Sequence, residues 1–348
     1  MAHNRFTDAP RSLTRTAAIG LLLAFQLAVG LALAEGLLRT MYQHPAPWYP
    51  AAIRTFLSVE YFYRRHIIQL DERTARYDPE LLYTLRPGQF TFSNVEYSTP
   101  YVVNSLGVRD DERSLAQPEI VVVGDSYAMG WGVQQSESFP KVLERRTGRR
   151  VLNAAIASYG TVREMRLLDR IDLSRATTLI VQYCSNDFNE NEEFLKNGNR
   201  HVPSGRDTWL SAAVQPKRVP TYWPFPMVYS AATWIKRGIE GRKQGGFEPS
   251  SQPPDAAASL FLNALMHAPR HDLNRLRIIV TDVDPDPAFI RALNRLHASE
   301  LYPPYIRNMI VLDVSARLTP DVYYLMDDHL RPPGHAAIAE ALRDAMER

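Results

Sequence analysis

Residues 119–127 read Glu-Ile-Val-Val-Val-Gly-Asp-Ser-Tyr, and this run restricts the fold more than any other part of the chain. Four consecutive β-branched apolar residues, Ile120 to Val123, suit a strand buried on both faces, as strands of a parallel sheet are. Gly124-Asp125-Ser126 ends the strand, and a stretch able to start a helix follows. A serine at the C-terminal end of a parallel strand sits where open α/β sheets place their chemistry. Free N–H groups at a helix start there would favour developing negative charge, which a serine nucleophile needs. Gly-Asp-Ser is also an ordinary turn, however, and the bare tripeptide arises by chance in roughly one chain in ten of this length. The rest of the chain has to supply the serine's partners.

From residue 119 onward strand and helix patterns alternate. Candidate strands are 119–123, 149–153, 177–183, 276–281 and 309–314, with helical patterns at 138–146 and 162–173. A last helix over 334–346 carries Ala336, Ile338, Ala339 and Leu342 on one side, as a core-facing stripe does. Such alternation predicts a parallel sheet covered by helices on both faces. Upstream, 89–92 and 101–104 read as two strands leading into this domain. The span 190–262 breaks the rhythm with Trp209, Trp223, Trp234 and the Gly/Pro-rich stretch 245–254. It fits either a lid or binding loop at the sheet's mouth, or a surface excursion packed down by its tryptophans.

Residues 17–34 contain no charge and one amide, Gln26, and the apolar run continues through Leu37 and Leu38 after Glu35. A helix over 17–38 is long enough to span a bilayer, and that anchor is the preferred reading. Ala32-Leu33-Ala34 keeps a cleaved signal peptide open. Arg5, Arg11 and Arg15 against Asp8 place residues 1–16 in the cytoplasm and the bulk of the chain outside it. The aromatic and arginine-rich segment 39–78 then reads as a juxtamembrane helix, with 79–118 as lead-in strands and 119–348 as the catalytic domain. A formal net charge of +2 and no basic block argue against a nucleic-acid partner. The single cysteine, Cys184, rules out an intramolecular disulfide, so an exported domain relies on its core.

Acyl transfer from a serine needs a base, a group that orients it, and oxyanion donors. Asp327-Asp328-His329 lies between the last strand and the last helix, beside the other strand ends. His329 can act as base because the intrinsic pKa of histidine lies near neutrality, with Asp327 or Asp328 accepting its other ring proton. Asn186 follows the strand at 177–183, and its amide can donate to an oxyanion. Gly160 follows the strand ending near Asn153 and allows close backbone approach. His335 is a second candidate base, although opening the last helix suits it better. Asp282-Val283-Asp284-Pro285-Asp286-Pro287 looks acidic enough for calcium, but Pro287 and Leu293 occupy the sixth and twelfth positions that an EF-hand gives to glycine and glutamate. His201, His267, His271 and His297 show no paired ligand spacing, so no metal or organic cofactor is expected.

These residues resemble the SGNH superfamily of GDSL-type esterases and lipases. The likeness rests on Gly124-Asp125-Ser126-Tyr127 with Gly130-Trp131-Gly132-Val133, on Asn186-Asp187, and on Asp327 to His335. Asn104 to Arg109 looks like the lead-in of a bacterial membrane-anchored subgroup linked to envelope or exported polysaccharides. The resemblance implies a flavodoxin-like three-layer α/β/α sandwich with a mainly parallel five-stranded sheet. It implies Ser126 as nucleophile, His329 as base, Asp327 as acid, and oxyanion donors at Ser126 N–H, the Gly160 region and Asn186. The substrate class it implies is an acyl ester, O-acetyl on a carbohydrate, with hydrolysis, acyl transfer, or a catalytically inactive assembly role all using the same residues. Three positions depart from the pattern. Met326 stands where the family's Asp-x-x-His spacing would put the acid, Ser158 stands at the expected glycine, and Cys184 replaces the glycine two before Asn186.

Overall fold

The structure is a computed structural model that describes residues 11–214, 224–243 and 252–347. In chain order its elements are α1 (Arg11–Gln43), α2 (Ala51–Arg64), β1 (Ala75–Asp78), β2 (Leu82–Leu85), β3 (Gly88–Asn94), β4 (Tyr97–Val103), β5 (Ile120–Val123), α3 (Ser126–Met129), α4 (Phe139–Thr147), β6 (Val151–Asn153) and α5 (Thr161–Leu168). These are followed by β7 (Thr178–Tyr183), α6 (Asp187–Lys196), α7 (Arg206–Val214), α8 (Pro226–Lys243), α9 (Pro254–His267), β8 (Arg277–Asp282), α10 (Ala288–Leu296), α11 (Pro304–Arg307), β9 (Ile310–Leu312) and α12 (Pro332–Glu347). The chain divides into two compact units, residues 64–217 with 249–348, and residues 1–63 with 218–248.

The larger unit is built on a five-stranded parallel sheet in the order β6-β5-β7-β8-β9. Renumbered by chain position this is 2-1-3-4-5, the flavodoxin-like order. All five strands fall where the apolar runs predict them. Successive side chains point to opposite faces, so each strand feeds two cores. Val121, Val123, Leu179, Val181, Ile278 and Val280 pack with α5, α9 and α10. Ile120, Val122, Ile180 and Ile279 pack on the other side with α4 and α12. Burial on both faces explains why β5 and β7 carry continuous apolar runs instead of alternation. Because β6 and β7 lie on either side of β5, the strand order reverses at β5, and the crevice at its C-terminal end is the topological switch point.

Two antiparallel hairpins precede the sheet. β3 pairs with β4 from Gly88↔Val103 to Asn94↔Tyr97, longer than the strands expected at 89–92 and 101–104. β1 pairs with β2, which alters the expectation of a helix over 39–78: within that span α2 is helical, but 75–78 is a strand. A turn over 79–81 closes this hairpin, and Leu82, the first residue of β2, has φ of 69°. Behind the hairpins Arg109 is fully buried and stacks 3.5 Å over the Tyr101 ring. Its guanidinium donates to the carbonyls of Gly130 and Val133, fixing the segment just after α3.

The span 190–262 does not behave as one insertion. Phe261 and Leu262 of α9 belong to the core beneath the sheet. Trp209 of α7 is buried and donates its indole N–H to the Gln69 carbonyl at 3.1 Å, so it packs its segment down. Trp223 and the stretch 245–251 lie outside the described residues. Trp234 of α8 belongs to the smaller unit, where it sits 6.0 Å from Phe56. That unit also contains α1, in which Arg15–Gln43 is long and apolar enough to cross a membrane. Arg5 and Asp8, which entered the topology reading, lie outside the described residues.

Candidate active site

The turn after β5 is shaped by close approach. A Cβ on Gly124 would sit 2.7 Å from Gln182 Oε1 and 2.9 Å from Ala128 Cβ, so only glycine fits. Gln182, from the neighbouring strand β7, is buried, and its Oε1 accepts the N–H groups of Asp125 and Ala128. Asp125 caps the turn by accepting from Tyr127 N–H at 3.0 Å. Ser126 follows as the first residue of α3, which is a single turn. The helix expected after the serine is therefore too short for a sizeable macrodipole, and individual N–H groups matter instead.

The loop before α12 brings the other two residues. Ser126 Oγ lies 2.7 Å from His329 Nε2, and His329 Nδ1 lies 2.5 Å from Asp327 Oδ1. This network assigns Nδ1 as the donor to Asp327 and leaves Nε2 free to accept the serine proton. Of the two neighbouring carboxylates, Asp327 is the closer to His329 and the more buried. Its side chain is fully buried, whereas that of Asp328 is 53% exposed, with its carboxylate 3.2 Å from the same nitrogen. Asp327 Oδ2 accepts from Tyr97 OH at 3.2 Å and Trp131 Nε1 at 3.1 Å. The Trp131 ring stacks on the His329 ring at 4.9 Å and 16°. The carboxylate of Glu96, at the β3–β4 turn, accepts the backbone N–H groups of Leu325, Met326 and Asp327. Together these contacts hold an Asp-x-His loop in place of the three-residue spacing.

The oxyanion candidates lie on three strand ends. Among the described residues, the backbone N–H groups of Ser126, Ser158 and Gly160 donate to no backbone carbonyl. Ser158 adopts φ of 60°, the left-handed region where glycine is favoured, while Gly160 is extended at −106°. Ser158 thus takes a backbone conformation that glycine adopts readily. Gln69 Nε2 donates to its hydroxyl at 2.8 Å, and Arg163 donates to its carbonyl. Gly160 instead caps α5, where an added Cβ would meet Glu190 at 3.0 Å. A cleft of 330 Å³ opens beside Tyr127, Cys184, Ser185, Asp282, Tyr323 and Asp328, and another of 290 Å³ beside Asn186, Arg163 and Asn189.

Electrostatics set how this group titrates. Burial pushes His329 down, but the Asp327 charge and hydrogen bond, reinforced by Asp328, outweigh it and raise its pKa to about 9. At pH 7 only about one molecule in a hundred then carries the neutral imidazole that a base requires. Any activity resting on His329 should climb about tenfold per pH unit and level off near pH 9. Asp328→Asn removes one of the raising contributions, so the inflection in a kcat/KM–pH profile should move to lower pH. An unmoved inflection would show that Asp328 has no hold on His329.

His335 takes another part. It is buried, its Nδ1 accepts from Phe139 N–H at 3.3 Å, and burial lowers its pKa to about 3, so it is a neutral link between α12 and α4. In the acidic loop after β8, Asp282 accepts the N–H groups of Val283 and Asp284, and Asp284 accepts that of Asp286. These are turn and helix-start contacts. Asp327, Asp328 and His329 bring three metal-type donor atoms within 4.8 Å of one another, but His329 Nδ1 already bonds Asp327.

Beneath the Asn186 loop is a buried acidic pair. Thr161 donates to Asp187 Oδ2, while Asp187 Oδ1 and both Glu164 oxygens have no hydrogen-bond partner among the described residues. Burial, then repulsion by Asp187 at Glu164 and by Asp125 at Asp187, holds both carboxyls well above the usual range. Folding therefore takes up protons, and the pair's contribution is present at low pH and lost as pH rises through the raised values. Glu164→Gln should stabilise the protein by about 1–3 kcal/mol at pH 8, and by less at pH 5. Urea unfolding at the two pH values checks this, and equal changes at both would contradict it.

Of the residues that sequence reasoning named, the structure joins Ser126, His329 and Asp327 in one hydrogen-bonded relay; that reasoning did not name Glu96, Tyr97, Gln182 or Gln69. Each acts across a long sequence separation, up to 231 residues for Glu96 and Asp327. No protein-family model and no curated protein matches this chain. Among solved structures, a lipase from a goat rumen metagenome aligns at 16% identity over 65% of this chain and 96% of its own, with a TM-score of 0.33. Phospholipase A1 from Streptomyces albidoflavus aligns at 11% identity over 66% and 99%, with a TM-score of 0.33. An extracellular lipase from Streptomyces rimosus aligns at 12% identity over 65% and 98%, with a TM-score of 0.34. Likenesses this weak carry no argument about chemistry, which rests on the geometry above.

Proposed function

We propose that this chain is a membrane-anchored serine esterase of the SGNH type, acting on O-acyl esters of exported carbohydrate. The observation that carries the reading is the continuous relay from Ser126 Oγ through His329 to the buried Asp327 carboxylate. In the reaction Ser126 Oγ attacks the ester carbonyl while its proton passes to His329 Nε2. Asp327 holds the imidazolium through Nδ1, and the N–H groups of Ser126 and Ser158 with the Asn186 amide receive the oxyanion. His329 then protonates the departing alkoxide, leaving an acyl-serine. Water, deprotonated by His329, releases the acid and restores Ser126. If a sugar hydroxyl replaces water, the same relay becomes an acyltransferase.

The carbohydrate part of the proposal draws support from the groups that line the two clefts described above. Tyr127 and Tyr323 line one, and Asn186 and Asn189 the other. The topology part draws support from α1 and from the arginines before it. A fluorophosphonate probe followed by peptide mass analysis tests the chemistry. The adduct is expected on Ser126, and labelling elsewhere or none at all would refute the nucleophile. An alkaline-phosphatase fusion after Arg348 should be active, and an inactive fusion at normal abundance would refute export.

A further inference from the structure

Helix α8 is tied to the apolar helix α1 by a contact that fixes its depth. Glu35 of α1 is buried, and its Oε2 accepts the backbone N–H groups of Met227 and Val228 at 2.9 and 3.0 Å. These are orphan donors at the start of an 18-residue helix, where a carboxylate is favoured. The other Glu35 oxygen accepts from Arg39 at 2.6 Å. If α1 crosses a bilayer over 17–38, Glu35 stands near its outer boundary, and α8 begins at that level.

The surface of α8 is then suited to that level. Trp234 faces inward against Phe56. Ile235 and Ile239, four residues apart on one face, are each 54% exposed, with Ala232 exposed beside them. Leu33 and Leu37 of α1 are also exposed, so apolar surface occurs on both helices of this unit. Exposed Lys236 and Arg237 flank the isoleucines. Cations beside apolar residues suit the headgroup zone, whereas the hydrocarbon centre would penalise them.

We infer that α8 is a second membrane-contacting element, lying in the headgroup region of the bilayer with Ile235 and Ile239 toward the lipid. This rests on the reading of α1 as a membrane helix. Part of the 190–262 span would thereby seat the smaller unit on the membrane. Anionic lipid is the partner that the flanking cations favour.

The test uses the full chain in a Cys184→Ala background, reconstituted in nanodiscs of phosphatidylcholine and phosphatidylglycerol. Nitroxide labels are placed at Ile19→Cys, Ile235→Cys, Ile239→Cys and, as a surface reference, Val202→Cys. Oxygen and nickel-chelate accessibilities should place the two α8 labels about 5–10 Å below the headgroup boundary, shallower than Ile19. Adding Glu35→Ala should shift them toward the Val202 value. Labels on α8 as aqueous as Val202, with Ile19 in lipid, would overturn the inference and leave the anchor standing. An aqueous Ile19 would overturn the anchor and the inference together. Labels on α8 as deep as Ile19 would overturn the headgroup placement.

Discussion

Ser126→Ala is expected to lower kcat/KM on an aryl acetate by about 10⁴- to 10⁶-fold while leaving the fold intact. The serine side chain is small and nine-tenths buried, and its structural contact is the single hydrogen bond to His329. The turn around it is held independently, by Gln182 on Asp125 and Ala128 and by the Asp125 cap. Alanine therefore removes the bond-forming atom without loosening β5 or α3. Thermal unfolding should change little, and loss of labelling by a fluorophosphonate should accompany loss of turnover. Activity within tenfold of the parent would exclude Ser126 as nucleophile, and a protein that retained its cellular role without turnover would be a binding module.

Asp327→Asn should cost about 10⁴-fold in kcat with little change in KM, the scale seen when a triad acid loses its charge. The amide preserves shape but can present N–H to Nδ1, which turns the imidazole to the tautomer that cannot accept from Ser126. It also leaves Tyr97 OH and Trp131 Nε1 donating to a weaker acceptor. Asp328→Asn is the control, since its carboxylate is half exposed and more distant. It should change the pH profile with a much smaller effect on the plateau rate. Equal losses from the two substitutions, each measured at its own pH plateau, would show that both carboxylates orient His329.

Much of the fold could be read because burial leaves a mark on composition. β5 and β7 lie between two helical layers, and that forces runs such as Ile120 to Val123 and Leu179 to Val181. The short hairpin β1–β2 left no such mark. Its strands are four residues each and β1 is largely polar, so pairing and packing stabilise them more than their own propensity does. The site was legible by chemical type only. Ser, His, Asp and Asn after successive strands pointed to acyl transfer, but Asp327 and Asp328 are chemically identical neighbours.

By itself the chain determined the two-sided strand that ends at Gly124, the serine placed just beyond it, and the repertoire of bases and donors near later strand ends. Those features depend on local spacing and on how residues partition from water, both of which a sequence carries directly. Tertiary structure decided which carboxylate is buried against His329, because backbone direction sends Asp327 inward to Tyr97 and Trp131 and Asp328 outward. It decided that Ser158 takes the glycine-like backbone, since φ is set by the surrounding contacts of Gln69 and Arg163. It also decided that Glu96 braces the Asp327 loop and Glu35 caps α8, because such pairings form only once distant segments meet.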